Sequence, residues 1–299
     1  MSAGFSRPLP FIKMHGLGND FIILDARDGK HLPDTDGMRL LANRHTGIGC
    51  DQIMILQTSA TGADVRLDML NADGSVVGAC GNGTRCVADI IMHEMHKSDI
   101  TIETISGTLS AWHHRREGDV PLISVDMGMV RTGWRDIPLA EAANTAELEL
   151  GPVAPDKATC QSVGNPHAVM FVDDVAAIDL LDIGPQLEHH PLFPDRANIE
   201  IVTVLSQNKL RMRVWERGAG ITMACGSGAC AAAVAAIRRG LTASEDVEVV
   251  LDGGSLFITW QAGEGRNGHV IMTGPTTHVA AGIIDPTLFG PDFSIDGDG

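Results

Sequence analysis

Two cysteines stand in nearly the same phrase. Residues 79–86 read Ala-Cys-Gly-Asn-Gly-Thr-Arg-Cys and residues 224–230 read Ala-Cys-Gly-Ser-Gly-Ala-Cys, with Cys80 and Cys225 145 positions apart. Cys-Gly-x-Gly ahead of a helical stretch puts a thiol at the positive end of the helix dipole, among free backbone N–H groups. Such a place draws a thiol pKa down from about 8.5 toward neutrality. The glycines let a ligand come close to the backbone, and the N–H groups suit a carboxylate. Two such helix starts on one carboxylate would set a sulfur on each face of the carbon that bears it. A base on one face and an acid on the other is what stereoinversion requires, and the helix ends would stabilise charge spreading onto the carboxylate as the α-proton leaves.

The phrases belong to a longer repeat. Gly18-Asn19 answers Gly164-Asn165 at an offset of 146, and Gln52 of Gln-Ile-Met-Ile-Leu answers Asn198 of Asn-Ile-Glu-Ile-Val at the same offset. Asn71 and Glu216 each stand nine residues before their cysteine, and Val125–Gly128 answers Ile271–Gly274 at 146. Five matches in one order imply two copies of one domain. Each copy reads as short strands around one helix that follows the cysteine. The strands are Phe21–Leu24, Ile53–Leu56 and Val65–Leu70, then Met170–Val172, Ile199–Leu205 and Leu210–Trp215. The second helix runs from Ala229 to Arg239, with cations and Gly240 at its end. The segments near 129–150 and after 276 have no match. The tail after Pro286, ending Asp-Gly-Asp-Gly, carries no pattern and reads as frayed.

Composition narrows the field. The chain has 299 residues, 44% hydrophobic and 20% charged, enough for two domains with proper cores. Its net charge of −16 opposes binding to nucleic acid. The N-terminus lacks the apolar core of a signal peptide. The uncharged stretch Ala219–Ile237 is long enough for a membrane helix, but its small residues read as a helix buried in protein. With no export signal, the six cysteines read as cytosolic thiols. Cys86 and Cys230, inside the helices, read as small buried hydrophobes, as do Cys50 and Cys160. No Cys-x-x-Cys pair and no His/Cys run suggests a metal, despite twelve histidines. None of the five lysines lies in a Gly-rich loop, which argues against a pyridoxal Schiff base, and no cofactor is expected. A dinucleotide reading competes: Gly226-Ser-Gly228-Ala-Cys-Ala231 fits G-x-G-x-x-A, with Glu245 and Asp246 downstream. The first copy fails that pattern at Cys86, and the pairing of the cysteines is left without a reason.

Taken together, Lys13-Met-His-Gly-Leu-Gly-Asn-Asp-Phe21, Met69-Leu-Asn-Ala-Asp-Gly74, Cys80-Gly-Asn-Gly83, Gly164-Asn-Pro-His167, Trp215-Glu-Arg-Gly-Ala-Gly220 and Ala224–Cys230 resemble the diaminopimelate epimerase family, from about residue 11 to Pro275. Proline racemases and phenazine-type isomerases share the duplicated fold without this full set. The resemblance implies an α/β (α+β) fold of two pseudo-symmetric halves, each a mixed β-sheet wrapped around a central helix, with the active site between them. The halves would be 1–128, joined by about 276–299, and 129–275. The reaction implied is cofactor-independent epimerisation of LL-diaminopimelate to the meso isomer, for lysine and peptidoglycan synthesis. A related activity on proline or hydroxyproline is the alternative.

The same resemblance assigns roles. Cys80 and Cys225 would be the thiol/thiolate pair, with Gly81-Asn82 and Gly226-Ser227 holding the reacting carboxylate. Asn19, Gln52, Asn71, Asn165, Asn198, Glu216 and Arg217 would line the pocket, Arg217 gripping the distal carboxylate. His167 and Glu216 would adjust the thiols. Read from the residues alone, His167 is equally a structural histidine in a loop, the asparagines equally turn supports, and Glu216-Arg217 a surface ion pair. The family is cytoplasmic and commonly homodimeric. This chain has no tyrosine, so a dimer contact that relatives build with one must be made otherwise here.

Overall fold

The computed structural model of the protein describes residues 9–29, 31–114, 122–261 and 268–290. The chain opens with strands β1 (Leu9–Gly16) and β2 (Asn19–Asp25), helix α1 (Thr35–Ala42), then β3 (Gln52–Gln57) and β4 (Val65–Asn71). Helix α2 (Gly81–Met95) leads to β5 (Asp99–Thr104), β6 (Gly107–His114) and β7 (Leu122–Met129). Next come β8 (Thr159–Ser162), β9 (Pro166–Phe171), α3 (Leu180–Glu188), β10 (Asn198–Ser206), β11 (Lys209–Glu216) and the short β12 (Gly220–Ile221). Helix α4 (Gly226–Arg238) is followed by β13 (Asp246–Leu251), β14 (Gly254–Trp260), β15 (His269–Gly274) and β16 (Thr277–Ile284).

These elements form two compact units, Met1–Ile123 with Thr276–Gly299, and Ser124–Pro275. Residues 124–128, which the sequence offset placed in the first half, fall in the second unit. There Ser124 Oγ meets Thr273 Oγ1 at 2.7 Å, and Asp126 meets the His269 ring at 2.8 Å.

In the first unit the strand order is β16-β1-β2-β3-β4-β5-β6. The sheet is mixed, because β2/β3 and β4/β5 are parallel while β1/β2, β3/β4 and β5/β6 are antiparallel. Gln52–Gln57 is buried at all four central positions, as a strand covered on both faces must be. One cover is α2, which lies against β1, β2, β5 and β6. The other is α1, whose Met38 and Leu41 pack with Ile22, Ile53 and Ile55.

The second unit repeats the plan in the order β7-β15-β14-β13-β11-β10-β9-β8, with β12 beside β11. Its parallel pairs are β9/β10 and β11/β13. Helix α4 touches seven of these strands and is buried from Gly226 to Ala236 except at Ser227. Alanine is the best helix former and the smallest side chain that still excludes water, so a sheet can wrap it closely on all sides. Arg238 closes its last turn by donating to the Cys160 carbonyl at 2.7 Å, and Gly240 follows at φ 66°.

The Gly-Asn matches have a backbone cause. Gly18 and Gly164 hold φ of 88° and 89°, so the same left-handed turn precedes Asn19 and Asn165. Each unit also has a second, short helix that the sequence reading did not list. Gly37 in α1 and Gly184-Pro185 in α3 read as breakers. A Cβ on Gly184 would stand 2.5 Å from the Trp215 ring, so the glycine is what lets α3 dock. Strand β9 starts at Pro166 rather than Met170, which puts His167 in a buried strand and not in a loop. The tail is ordered further than its composition suggests: Pro286–Phe289 form a 3₁₀ turn, and Leu288 and Phe289 pack on the core under α1. The closing Asp-Gly-Asp-Gly lies outside the described residues. The stretch Ala219–Ile237 is interrupted by β12 and by the turn before α4, and no helix among the described residues is long and apolar enough to cross a membrane.

Candidate active site

Each of the two repeated cysteines is the N-cap of its helix. Cys80 has extended φ/ψ (−146°, 98°), and its sulfur accepts the Gly83 amide at 3.4 Å. Cys225 has φ/ψ (−113°, 113°) and accepts the Gly228 amide at 3.4 Å. The sulfur thus takes the place that a serine or aspartate oxygen takes at ordinary caps. The second glycine of each phrase is required by packing. A Cβ at Gly83 would stand 2.2 Å from Met54 Cε, and one at Gly228 would stand 2.9 Å from Glu200 Oε1.

Around Cys80 the first unit gathers amides. Asn19, opening β2, accepts at Oδ1 from Cys80 Sγ at 3.7 Å and from Asn82 Nδ2 at 3.3 Å. Its own Nδ2 donates to Asp51 Oδ2 at 3.0 Å. Gln52 and Asn71 face each other across β3/β4, where Gln52 Nε2 donates to Asn71 Oδ1 at 3.2 Å. Asn71 Nδ2 is held by Ser75 Oγ at 3.0 Å. The structure therefore joins Asn19 directly to Cys80, and Asn82 to it through Asn19, while Gln52 and Asn71 form a pair of their own at the start of β3.

The second unit surrounds Cys225 with titratable groups. His167 Nδ1 lies 2.7 Å from Glu200 Oε1, and Nε2 lies 2.9 Å from Asn165 Oδ1. Asn165 Nδ2 donates to Ser227 Oγ at 3.4 Å, and Ser227 Oγ is 3.6 Å from Cys225 Sγ. Glu216 accepts from the Thr222 hydroxyl, and its carboxyl is close enough to Cys225 for each to shift the other's ionisation. Asn198 is buried, donating to the Pro166 carbonyl at 2.9 Å and accepting the Arg217 amide at 3.0 Å. The Arg217 side chain is exposed, with Nη1 on the Asp195 carbonyl at 3.0 Å.

The electrostatics of Cys225 run opposite to the sequence expectation. Burial pushes its thiol well above the ordinary range, and the Glu216 and Glu200 carboxylates add to the rise. The Ser227 hydroxyl and the Gly228 amide pull the other way without prevailing. The helix dipole is a contribution of limited size, whereas removal from water penalises a thiolate at once. Burial also raises Glu216, opposed by Thr222 and Cys225, and raises Glu200, opposed by His167. Cys50, Cys86 and Cys160 are pushed up to about 12 by burial, as inert thiols should be.

Two neighbours were missed by the sequence reading, Asp51 and Glu200. A signal for Glu200 existed. It is the one charged residue in the apolar run Asn-Ile-Glu-Ile-Val, two positions from Asn198 and so on the same face of the strand. Asp51 carries no comparable signal, because it sits in a loop and acts on a residue far away in sequence.

Comparison with known proteins agrees with the duplicated architecture. The family model for diaminopimelate epimerase matches residues 11–133 and 159–279. A diaminopimelate epimerase of Rhodospirillum centenum is 50% identical over 279 residues, covering 93% of this chain and 93% of its own. One from Acidiphilium cryptum is 48% identical, covering 94% and 98%. Among solved structures, a hydroxyproline epimerase of Agrobacterium vitis aligns at TM-score 0.65 with 14% identity, covering 96% of each chain. A phenazine biosynthesis protein of Bacillus anthracis aligns at 0.64 with 16% identity, covering 93% and 99%. At such identities these two share the fold alone.

Proposed function

The chain belongs to the diaminopimelate epimerase family, and we propose that it inverts one α-carbon of LL-2,6-diaminopimelate to give the meso isomer, with Cys80 and Cys225 as its acid–base pair. The observation that carries this reading is one half-site built twice: a cysteine capping a helix whose third residue, a glycine, donates its amide to the sulfur. One sulfur, as thiolate, takes the α-hydrogen. The other, as thiol, gives its hydrogen to the opposite face. Charge left on the carboxylate during the transfer is met by the amides of Gly81-Asn82 and Gly226-Ser227 and by both helix dipoles. Burial that keeps Cys225 protonated leaves it ready to act as the acid, with Glu216 and His167 at hand to adjust it.

Asn19, Gln52, Asn71, Asn165 and Asn198 supply short polar groups for the ammonium and carboxylate ends of the substrate. Arg217, exposed and held among the described residues by one backbone carbonyl, suits the distal carboxylate. The reaction needs no cofactor, because thiols and amides do every step. The protein is proposed to work in the cytoplasm as a homodimer. Support for the second copy comes from β16, an edge strand of its unit with Val279 and Ile283 exposed.

A substrate panel in metal-free, cofactor-free buffer tests the assignment. Inversion of LL-diaminopimelate is expected, with proline and hydroxyproline left unchanged. Inversion of proline alone would move the chain to the racemase reading.

A further inference from the structure

The repeat permits a comparison inside one molecule. At an offset of 146, His167 answers Phe21 and Glu200 answers Met54. The register agrees: Phe21 pairs with Gln52 across β2/β3, and His167 pairs with Asn198 across β9/β10. Met54 and Glu200 each lie under the second glycine of the cysteine phrase. The first unit fills these places with apolar side chains, and the second with an imidazole and a carboxyl that are both fully buried.

Glu200 Oε1 and His167 Nδ1 are 2.7 Å apart, a separation that holds one proton between them. Glu200 Oε2 is buried with no hydrogen-bond partner among the described residues. A bare carboxylate oxygen in such a place is costly, so a proton on the Oε1–Nδ1 line is strongly favoured. Nε2 faces Asn165 Oδ1, an oxygen that can only accept, so His167 carries a hydrogen there, and with one proton on the Oε1–Nδ1 line the pair is neutral overall. That hydrogen donates to Asn165 Oδ1 at 2.9 Å, which turns Asn165 Nδ2 toward Ser227 Oγ, the neighbour of Cys225. Without the carboxyl, His167 could carry its hydrogen on Nδ1 and offer a bare Nε2, and the Asn165 amide would lose its fixed sense. The equivalent Asn19 is set by a different means, the carboxylate of Asp51 on its Nδ2.

We infer that Glu200 is a positioning residue for Cys225: by fixing the tautomer of His167 it fixes the direction of the Asn165 amide beside the start of α4. This rests on the reading of Cys225 as one of the two acid–base groups. It makes the two thiols inequivalent by construction, since Phe21 and Met54 stand in the Cys80 half where His167 and Glu200 stand in the other.

The test uses Glu200→Gln, which keeps the shape, and Glu200→Met, which copies the other half. In the free wild-type protein, nitrogen NMR with His167→Gln as the assignment control should find Nε2 protonated. Both variants should show a population with the hydrogen on Nδ1. In heavy water the variants should invert about tenfold more slowly. From one of the two isomers only, deuterium should enter the α-position of recovered substrate without inversion, because slowed delivery from the Cys225 side gives the Cys80 thiol time to exchange its proton with solvent before returning it. A structural defect would instead depress exchange from both isomers alike. A bare Nε2 in the wild type, an unchanged tautomer in both variants, or equal loss of exchange from both isomers overturns the inference. If Cys225→Ser still inverts the substrate, the acid–base reading itself has failed. If Cys225→Ser is inactive while both Glu200 variants match wild type, only the role of Glu200 is refuted.

Discussion

Asp51 holds Asn19 by its amide nitrogen at 3.0 Å, and this leaves the Asn19 carbonyl oxygen facing the Cys80 sulfur. Asp51 also accepts the Asp20 amide and an Arg44 guanidinium, so it is itself well fixed. Asp51→Ala should lower kcat/KM about tenfold, equivalent to about 1.4 kcal/mol of transition-state stabilisation. Steady-state kinetics beside a thermal melt would check this, the melt excluding general unfolding as the cause.

Cys80→Ser and Cys225→Ser should each lose at least about a hundredfold in activity while remaining folded, since a hydroxyl is a far weaker base than a thiolate. Cys86→Ser and Cys230→Ser, buried inside α2 and α4, should act on stability instead, at about 1–3 kcal/mol. Kinetics and melting curves separate the two groups. Substantial epimerisation by either N-cap variant would remove the two-thiol model.

Alkylation of the native protein should follow the raised thiol of Cys225. A pKa above the ordinary range means a protonated, unreactive sulfur at neutral pH, with reactivity gained only as pH rises. Limited iodoacetamide near pH 8 should therefore mark Cys80, the one half-buried cysteine, before Cys225, Cys50, Cys86 or Cys160. Peptide mass spectrometry reads the order, and first labelling at Cys225 would contradict the electrostatics described for it.

Heavy water tests the division of labour. The thiolate on one face removes protium, and the thiol on the other, already exchanged, delivers deuterium. Early meso product should carry deuterium at the inverted carbon while recovered LL substrate keeps protium, provided the site excludes water during the transfer. Appreciable protium in the early product, seen by NMR at low conversion, would point to a single base serving both faces.

Asp20 should be a pH-dependent contributor to stability. Burial alone would raise its carboxyl, but Arg44 at 2.6 Å and Lys13 at 2.6 Å hold it well below the usual carboxylate range. A depressed folded-state pKa gives stability that is complete at neutral pH and is lost as pH falls below about 4. Asp20→Asn should thus be less stable than wild type at pH 7, with the gap closing in acid. Urea melts at several pH values would show it, and a gap independent of pH would refute it.

The sequence made the duplication legible because its markers answer strict local demands. Cys-Gly-x-Gly caps a helix against a packed strand, Gly-Asn makes a left-handed turn, and Gln52 and Asn198 open buried strands. The rest was hidden where the cause is tertiary. Helix α3 carries Gly184, and the Trp215 ring packed on it is what explains a glycine there. His167 looked like a loop residue because Pro166 precedes it, yet β10 pairs with it in register. The acidity of Cys225 differs from the sequence expectation because the helix start is visible in sequence, whereas the burial of the sulfur and then the nearness of Glu216 and Glu200 arise only through the fold.

The strand β16 has a consequence for the order in which the protein can be made. The second unit is one uninterrupted stretch, so all of its strands are present in the chain once Pro275 has been added. The first unit was begun earlier but lacks β16 until Ile284 has been added, and until then β1 lacks its partner strand on that side. Leu288 and Phe289, which seal the core under α1, arrive later still. The part begun first is the part completed last, and a chain released after residue 275 would hold every strand of the second unit while the first still lacked β16.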